Sequence, residues 1–128
     1  MRVLNGFGIK KKEKEMDKVN IEIEIKDEQI DYWLCGAFEG GSTYWCNGIK
    51  VKDNDYKGTK YASDCVSKGG TIIAEGKEIN KQTILDALSW LSKNGYKKCV
   101  DRLINGGYDA DDSDALFQVA CFGDVIYG

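Results

Sequence analysis

From Val19 to Lys26 apolar and polar residues alternate, and the apolar members, Val19, Ile21, Ile23 and Ile25, are all β-branched. A period of two with that composition predicts a strand with one buried face. The period then lengthens. Ile30, Trp33, Leu34, Ala37 and Phe38 fall at i, i+3, i+4, i+7 and i+8, one apolar stripe of a helix that Asp27 can cap and that Gly40-Gly41 ends. Tyr44 to Lys52 reads as a second strand interrupted by Asn47-Gly48, and Asp53-Asn54-Asp55 makes a turn. A short helix over Tyr61 to Ser67 and a strand over Thr71 to Ala74 follow, with Gly69-Gly70 between them.

The last third reads as helical. Asn80 can cap a helix whose Ile84, Leu85, Leu88, Trp90 and Leu91 form a broad apolar face, closed by Asn94-Gly95. Tyr96 to Ile104 is a second helical segment, stopped at Asn105-Gly106-Gly107. Asp111 or Asp112 can cap a third, Ser113 to Phe122, and Asp124 to Gly128 suits an added edge strand. Strands interleaved with helices predict the α+β class: a three to four stranded, mainly antiparallel sheet packed on one face by three to four helices.

At 128 residues the chain fits one domain, since domains cluster at roughly 100 to 150 residues. With 42% hydrophobic and 30% charged residues the composition is globular. Charge divides it unevenly. Residues 1–18 carry six basic against three acidic side chains, hence +3, which leaves −6 of the net −3 for the remainder. This basic N-terminal arm precedes most of the periodic pattern, and Met16 offers a second start within it, so the expectation is a dispensable arm 1–18 and a single domain 19–128. No stretch approaches the roughly 18 apolar residues of a membrane span, and charge replaces the apolar core of a signal peptide, so the expected location is the cytoplasm.

Five cysteines, Cys35, Cys46, Cys65, Cys99 and Cys121, are odd in number, lie 11, 19, 34 and 22 residues apart and contain no CxxC pair. Each has apolar or aromatic neighbours, as a buried thiol would. No cofactor is expected; zinc held by Cys35, Cys46, Cys65 and Cys121 is the lesser alternative, because close ligand spacing is missing. The chain has no histidine, which removes Ser-His-Asp and Cys-His chemistry, and it carries no P-loop, GxGxxG turn or HExxH motif. Carboxylate-only catalysis is the chemistry left, and such enzymes usually need a deeper cleft in a larger scaffold. A non-enzymatic protein is expected.

Two segments exceed ordinary punctuation. In Phe38-Glu39-Gly40-Gly41-Ser42-Thr43-Tyr44-Trp45-Cys46, a double glycine joins a helix to a pair of large aromatics. Gly40, Gly41 and Ser42 could bring backbone close to a partner, while Tyr44 and Trp45 offer stacking area with polar tips and Glu39 adds charge. The second segment is acidic: Asp109, Asp111, Asp112, Asp114 and Asp124 place five negative charges in the last twenty residues, with no lysine or arginine among them. Helix capping explains one or two of these. A calcium loop does not fit, for its central glycine and distal glutamate are absent. The set predicts an acidic face that meets a basic surface.

The run Tyr32 to Cys46 and the closing Asp109 to Gly128, about a third of the chain, also resemble small proteins of phages and integrated mobile elements of Gram-positive bacteria. No catalytic motif belongs to that group, so the resemblance carries over no active-site role. It implies context, because compact acidic proteins on such elements are often counter-defence proteins, anti-CRISPR proteins among them. The expected function is therefore binding inhibition of a bacterial immune system, with a CRISPR effector nuclease occupied at a basic surface and no direct contact with nucleic acid or membrane. A binder of a nucleotide immune signal, using the Gly40-Gly41 loop, is the alternative. A phage structural or accessory protein is a further one.

Overall fold

The computed structural model describes residues 22–128. The basic arm and the first residues of the alternating run lie outside them. In chain order the elements are α1 (Asp27–Gly36), a π-helical turn (Ala37–Gly41), β1 (Ile49–Val51), a 3₁₀ turn (Lys52–Asn54), α2 (Ala62–Ser67), β2 (Ile72–Ala74), β3 (Lys77–Ile79), α3 (Lys81–Lys93), α4 (Lys97–Asn105) and α5 (Ala110–Phe122). The fold is α+β; among the described residues a small antiparallel sheet of order β1-β2-β3 is packed with five α-helices.

The sheet is small because its middle is one tight hairpin. Glu75 and Gly76 both take positive φ, 51° and 74°, the two-residue turn whose twist matches flanking strands. Register sets Val51 opposite Ile72 and Ile72 opposite Ile79. All three are buried, so one rung faces the core while Lys50, Ile73 and Glu78 lie on the other face.

Alternation over 22–26 does not become a strand. Those residues form no ladder, and Ile23 is 56% exposed; period two makes a strand only where a neighbour supplies partners. The second expected strand shrinks to Ile49–Val51, because Ser42 to Trp45 form a turn instead. β3 lay beyond the expected pattern, and the closing Asp124 to Gly128 is not a strand.

Helix starts also shift. Asp27 is the first residue of α1 rather than its cap; it pairs with Lys81 at 2.7 Å, and Gln29 Oε1 accepts from the Lys26 backbone N–H at 2.8 Å. Asn80 caps α3 as expected, accepting from the Thr83 N–H at 3.0 Å. For α5 the cap is Asp109, which accepts from the Asp112 N–H at 3.0 Å, while Asp112 Oδ2 accepts from the Asp109 N–H at 3.2 Å.

α5 is the central element. Nine of its thirteen residues are buried, and it packs on α1, α3, α4 and the π-helical turn. Leu116 and Phe117 join Trp33, Leu34, Ile84, Leu91 and Leu103 in one core. Trp33 Nε1 donates to the Leu103 carbonyl at 3.1 Å, tying α1 to α4 across that core. No helix among the described residues is long and apolar enough to cross a membrane.

Candidate functional site

The two unusual sequence segments meet in space around one carboxylate. Asp114, 6% exposed, sits one turn into α5, and all four of its lone-pair directions are met. Oδ1 accepts from Ser42 Oγ at 2.8 Å and from Trp45 Nε1 at 2.7 Å. Oδ2 accepts from the Tyr44 hydroxyl at 2.7 Å and from Gln118 Nε2 at 3.0 Å. None of these donors is a cation, and no lysine or arginine forms an ion pair with Asp114 among the described residues.

The π-helical turn is what makes this meeting possible. Its wide final turn closes with the Ser42 N–H donating to the Ala37 carbonyl at 2.9 Å, which swings Ser42 to Trp45 back over α5. Gly41 lies where a Cβ would run into the Ala110 carbonyl, so a side chain there would force the turn off α5. Gly40, by contrast, faces open space. Gly36 is another close approach, its missing Cβ leaving room for Ser113. Composition could not separate these glycines, since only the packing partner tells a spacer from a contact.

Trp45 is 8% exposed and sandwiched. Its ring stacks on Phe117 at 5.6 Å and on Tyr127 at 5.8 Å, and Phe122 tilts against it at 5.0 Å. The closing residues reach this position through Gln118. Its Oε1 accepts from the Ile126 and Tyr127 N–H groups, both at 2.8 Å, and its Nε2 donates to the Tyr127 carbonyl at 3.2 Å. Gln118 and Tyr127 escaped sequence reasoning; the available signal was a glutamine set between Phe117 and Val119 on a helix that buries nearly every face.

Of the expected contact residues, Asp109, Asp111, Asp124, Glu39 and Tyr44 are exposed, while Asp112, Asp114, Ser42 and Trp45 are interior. Asp112 forms a bidentate pair with Arg102, both contacts at 2.7 Å, and the guanidinium holds its carboxyl below the usual carboxylate range. Tyr44 is 60% exposed, yet its hydroxyl is pushed up to about 12 because it donates to the Asp114 carboxylate. Beside it opens a pocket of about 330 Å³, walled by Tyr44, Tyr127, Asp111, Asp114, Ala115 and Gln118.

Two of the loop amides near Gly40-Gly41 are already engaged. Those of Ser42 and Thr43 donate to the carbonyls of Ala37 and Gly40. A second cavity of about 320 Å³ lies against Phe38, Thr43, Cys46 and Ile49.

All five cysteines are free thiols. Burial pushes Cys99 and Cys121 up to about 12 and raises Cys35, Cys46 and Cys65 as well. Among the described residues no group of three or more cysteine, aspartate or glutamate side chains could hold a metal ion. No family model matches the chain, and no curated protein or solved structure matches it either.

Proposed function

We propose that the protein is a non-enzymatic binding inhibitor that docks its aromatic and acidic face, centred on Tyr44 and Asp111, against a basic surface of a host defence protein. The observation that carries this reading is the convergence on Asp114. Interior bonds fix Ser42, Trp45 and the tail, and this leaves Tyr44, Asp111 and Tyr127 standing outside on a rigid base. Rigid aromatics beside carboxylates that form no ion pair among the described residues are what a binding face needs, because little order must be imposed when the partner arrives. The resemblance to counter-defence proteins of mobile elements names the partner class, with a CRISPR effector nuclease as the leading member. Competition for lysines and arginines that otherwise meet phosphate would block such an enzyme by occupancy.

Asp111 and Asp124 are the residues for the test, since both are exposed whereas Asp109 caps α5 and Asp114 is internal. Replacing both with lysine changes the face by four charges without touching the core. The partner recovered from host lysate should then associate about tenfold or more slowly with the variant, and the wild-type rate should fall as salt rises. An association rate that ignores both the substitutions and the salt would rule the reading out.

A further inference from the structure

We infer that the pocket beside Tyr44 takes a single arginine side chain of the partner, its guanidinium paired with Asp111 and lying against a tyrosine ring. The inference rests on the proposed binding function and names the chemical group that this face recognises. Buried charges are normally neutralised by a partner ion. Asp114 has four neutral donors and no cation among the described residues, so no counter-ion there offsets its negative charge toward the adjoining pocket. Its lone pairs are full, and it can therefore attract a cation but not bond one directly.

Direct bonding falls to Asp111, which is exposed at the pocket rim and makes no hydrogen bond or ion pair among the described residues. The walls decide which cation fits. The rings of Tyr44 and Tyr127 stand nearly perpendicular, 84° apart with centroids 6.3 Å from each other. One ring can offer its face to a planar group while the other closes the side. A guanidinium combines a flat, weakly hydrated face for stacking with a two-pronged edge for one carboxylate, whereas an ammonium is a strongly hydrated point charge. The pocket's 330 Å³ sits at the lower end of the roughly 300 to 1,000 Å³ typical of ligand sites, suited to one side chain and not to an extended ligand.

The test uses the full chain and three blocked tripeptide amides, Gly-Arg-Gly, Gly-Lys-Gly and Gly-citrulline-Gly, titrated by NMR at low salt. Citrulline keeps the arginine shape and removes its charge. The arginine peptide should shift the Trp45 indole N–H and the backbone signals of Asp111, Ala115 and Tyr127 in a saturable way. The lysine peptide should bind at least about fivefold more weakly, as bidentate charge-assisted bonds and stacking are lost. The citrulline peptide should leave these signals in place, and so should the arginine peptide on Asp111→Asn. Equal response to arginine and lysine, or shifts away from the pocket, would overturn the inference. If that happened while the Asp111/Asp124 lysine variant still slowed partner association, the binding function would stand without an arginine pocket. Saturable arginine binding with a partner indifferent to charge would leave the pocket standing and remove the proposed docking function.

Discussion

Asp114→Asn is the sharpest probe of the site, because it keeps the shape of the side chain and removes only charge and half of its acceptor capacity. The carboxylate serves four donors, two on each oxygen. Asparagine can serve one pair, and its NH₂ must face the other. Trp45 Nε1 can only donate, so the asparagine oxygen must turn toward Trp45 and Ser42. The NH₂ then faces Tyr44, whose exposed hydroxyl can rotate to accept, and Gln118 Nε2, which is buried but keeps the Tyr127 carbonyl at 3.2 Å. Two bonds lose their charge assistance and one or two donors lose an acceptor, which together cost about 3 kcal/mol. For a chain of this size the midpoint should fall by roughly 10 to 20 °C. Tyr44→Phe removes one donor at an exposed position and should cost only about 1 kcal/mol. Urea unfolding followed by both tryptophan fluorescence and far-UV circular dichroism measures the two variants side by side. If Asp114→Asn stays within about 1 kcal/mol of wild type, or Tyr44→Phe costs as much, the four-donor account is refuted.

The adjacent glycines should separate cleanly: Gly41→Ala drives a Cβ into the Ala110 carbonyl and should cost about 2 to 3 kcal/mol, while Gly40→Ala, in open space, should stay within about 0.5 kcal/mol in the same urea assay. Arg102→Ala leaves the Asp112 carboxylate, whose side chain is only 4% exposed, without its cation. The thermal midpoint at neutral pH should drop by roughly 5 to 10 °C. Because Arg102 depresses the folded carboxyl below its ordinary 3.8, the wild type gains this stability above that value and loses it as pH falls further; the variant's stability should be flatter below pH 4 in an acid-unfolding series.

How far the sequence foretells these features depends on whether local signals meet a matching environment. Asn80 followed by Thr83 caps α3 as the sequence suggests, whereas the Glu75-Gly76 turn carries no comparable signal, because glutamate is an unusual residue for the positive φ it takes there. The alternating run at 22–26 and the aromatic pair Tyr44-Trp45 carry equally strong strand signals, yet neither forms a ladder. For Tyr44 and Trp45 the polar tips decide the outcome: both donate to Asp114, some seventy residues away, and the turn that delivers them excludes an extended backbone. The acidic stretch misleads for a related reason. Five aspartates read alike in a chain without histidine and with few nearby cations, but one caps α5, one pairs with Arg102, one anchors the network and two face water. Only tertiary partners assign those roles.

That division of roles explains why a charge lies buried at the base of the proposed face at all. Apolar side chains of similar volume would often serve stability as well or better, since desolvating a carboxylate is unfavourable. They would leave Ser42, Tyr44, Trp45 and the closing residues without a common geometric reference, free to settle in several packings. Asp114 and Gln118 supply directional bonds in which each acceptor fixes two donors, so the Tyr44 and Tyr127 rings hold one mutual orientation. The same bonds fill the lone pairs of Asp114, so that in the proposed binding mode direct contact falls to Asp111 at the pocket rim. Order is thus imposed on the aromatic walls during folding, and the arginine of the proposed binding mode would meet a cleft already in place. In the proposed binding mode the buried carboxylate contributes through what it holds still and through its field, without touching the partner.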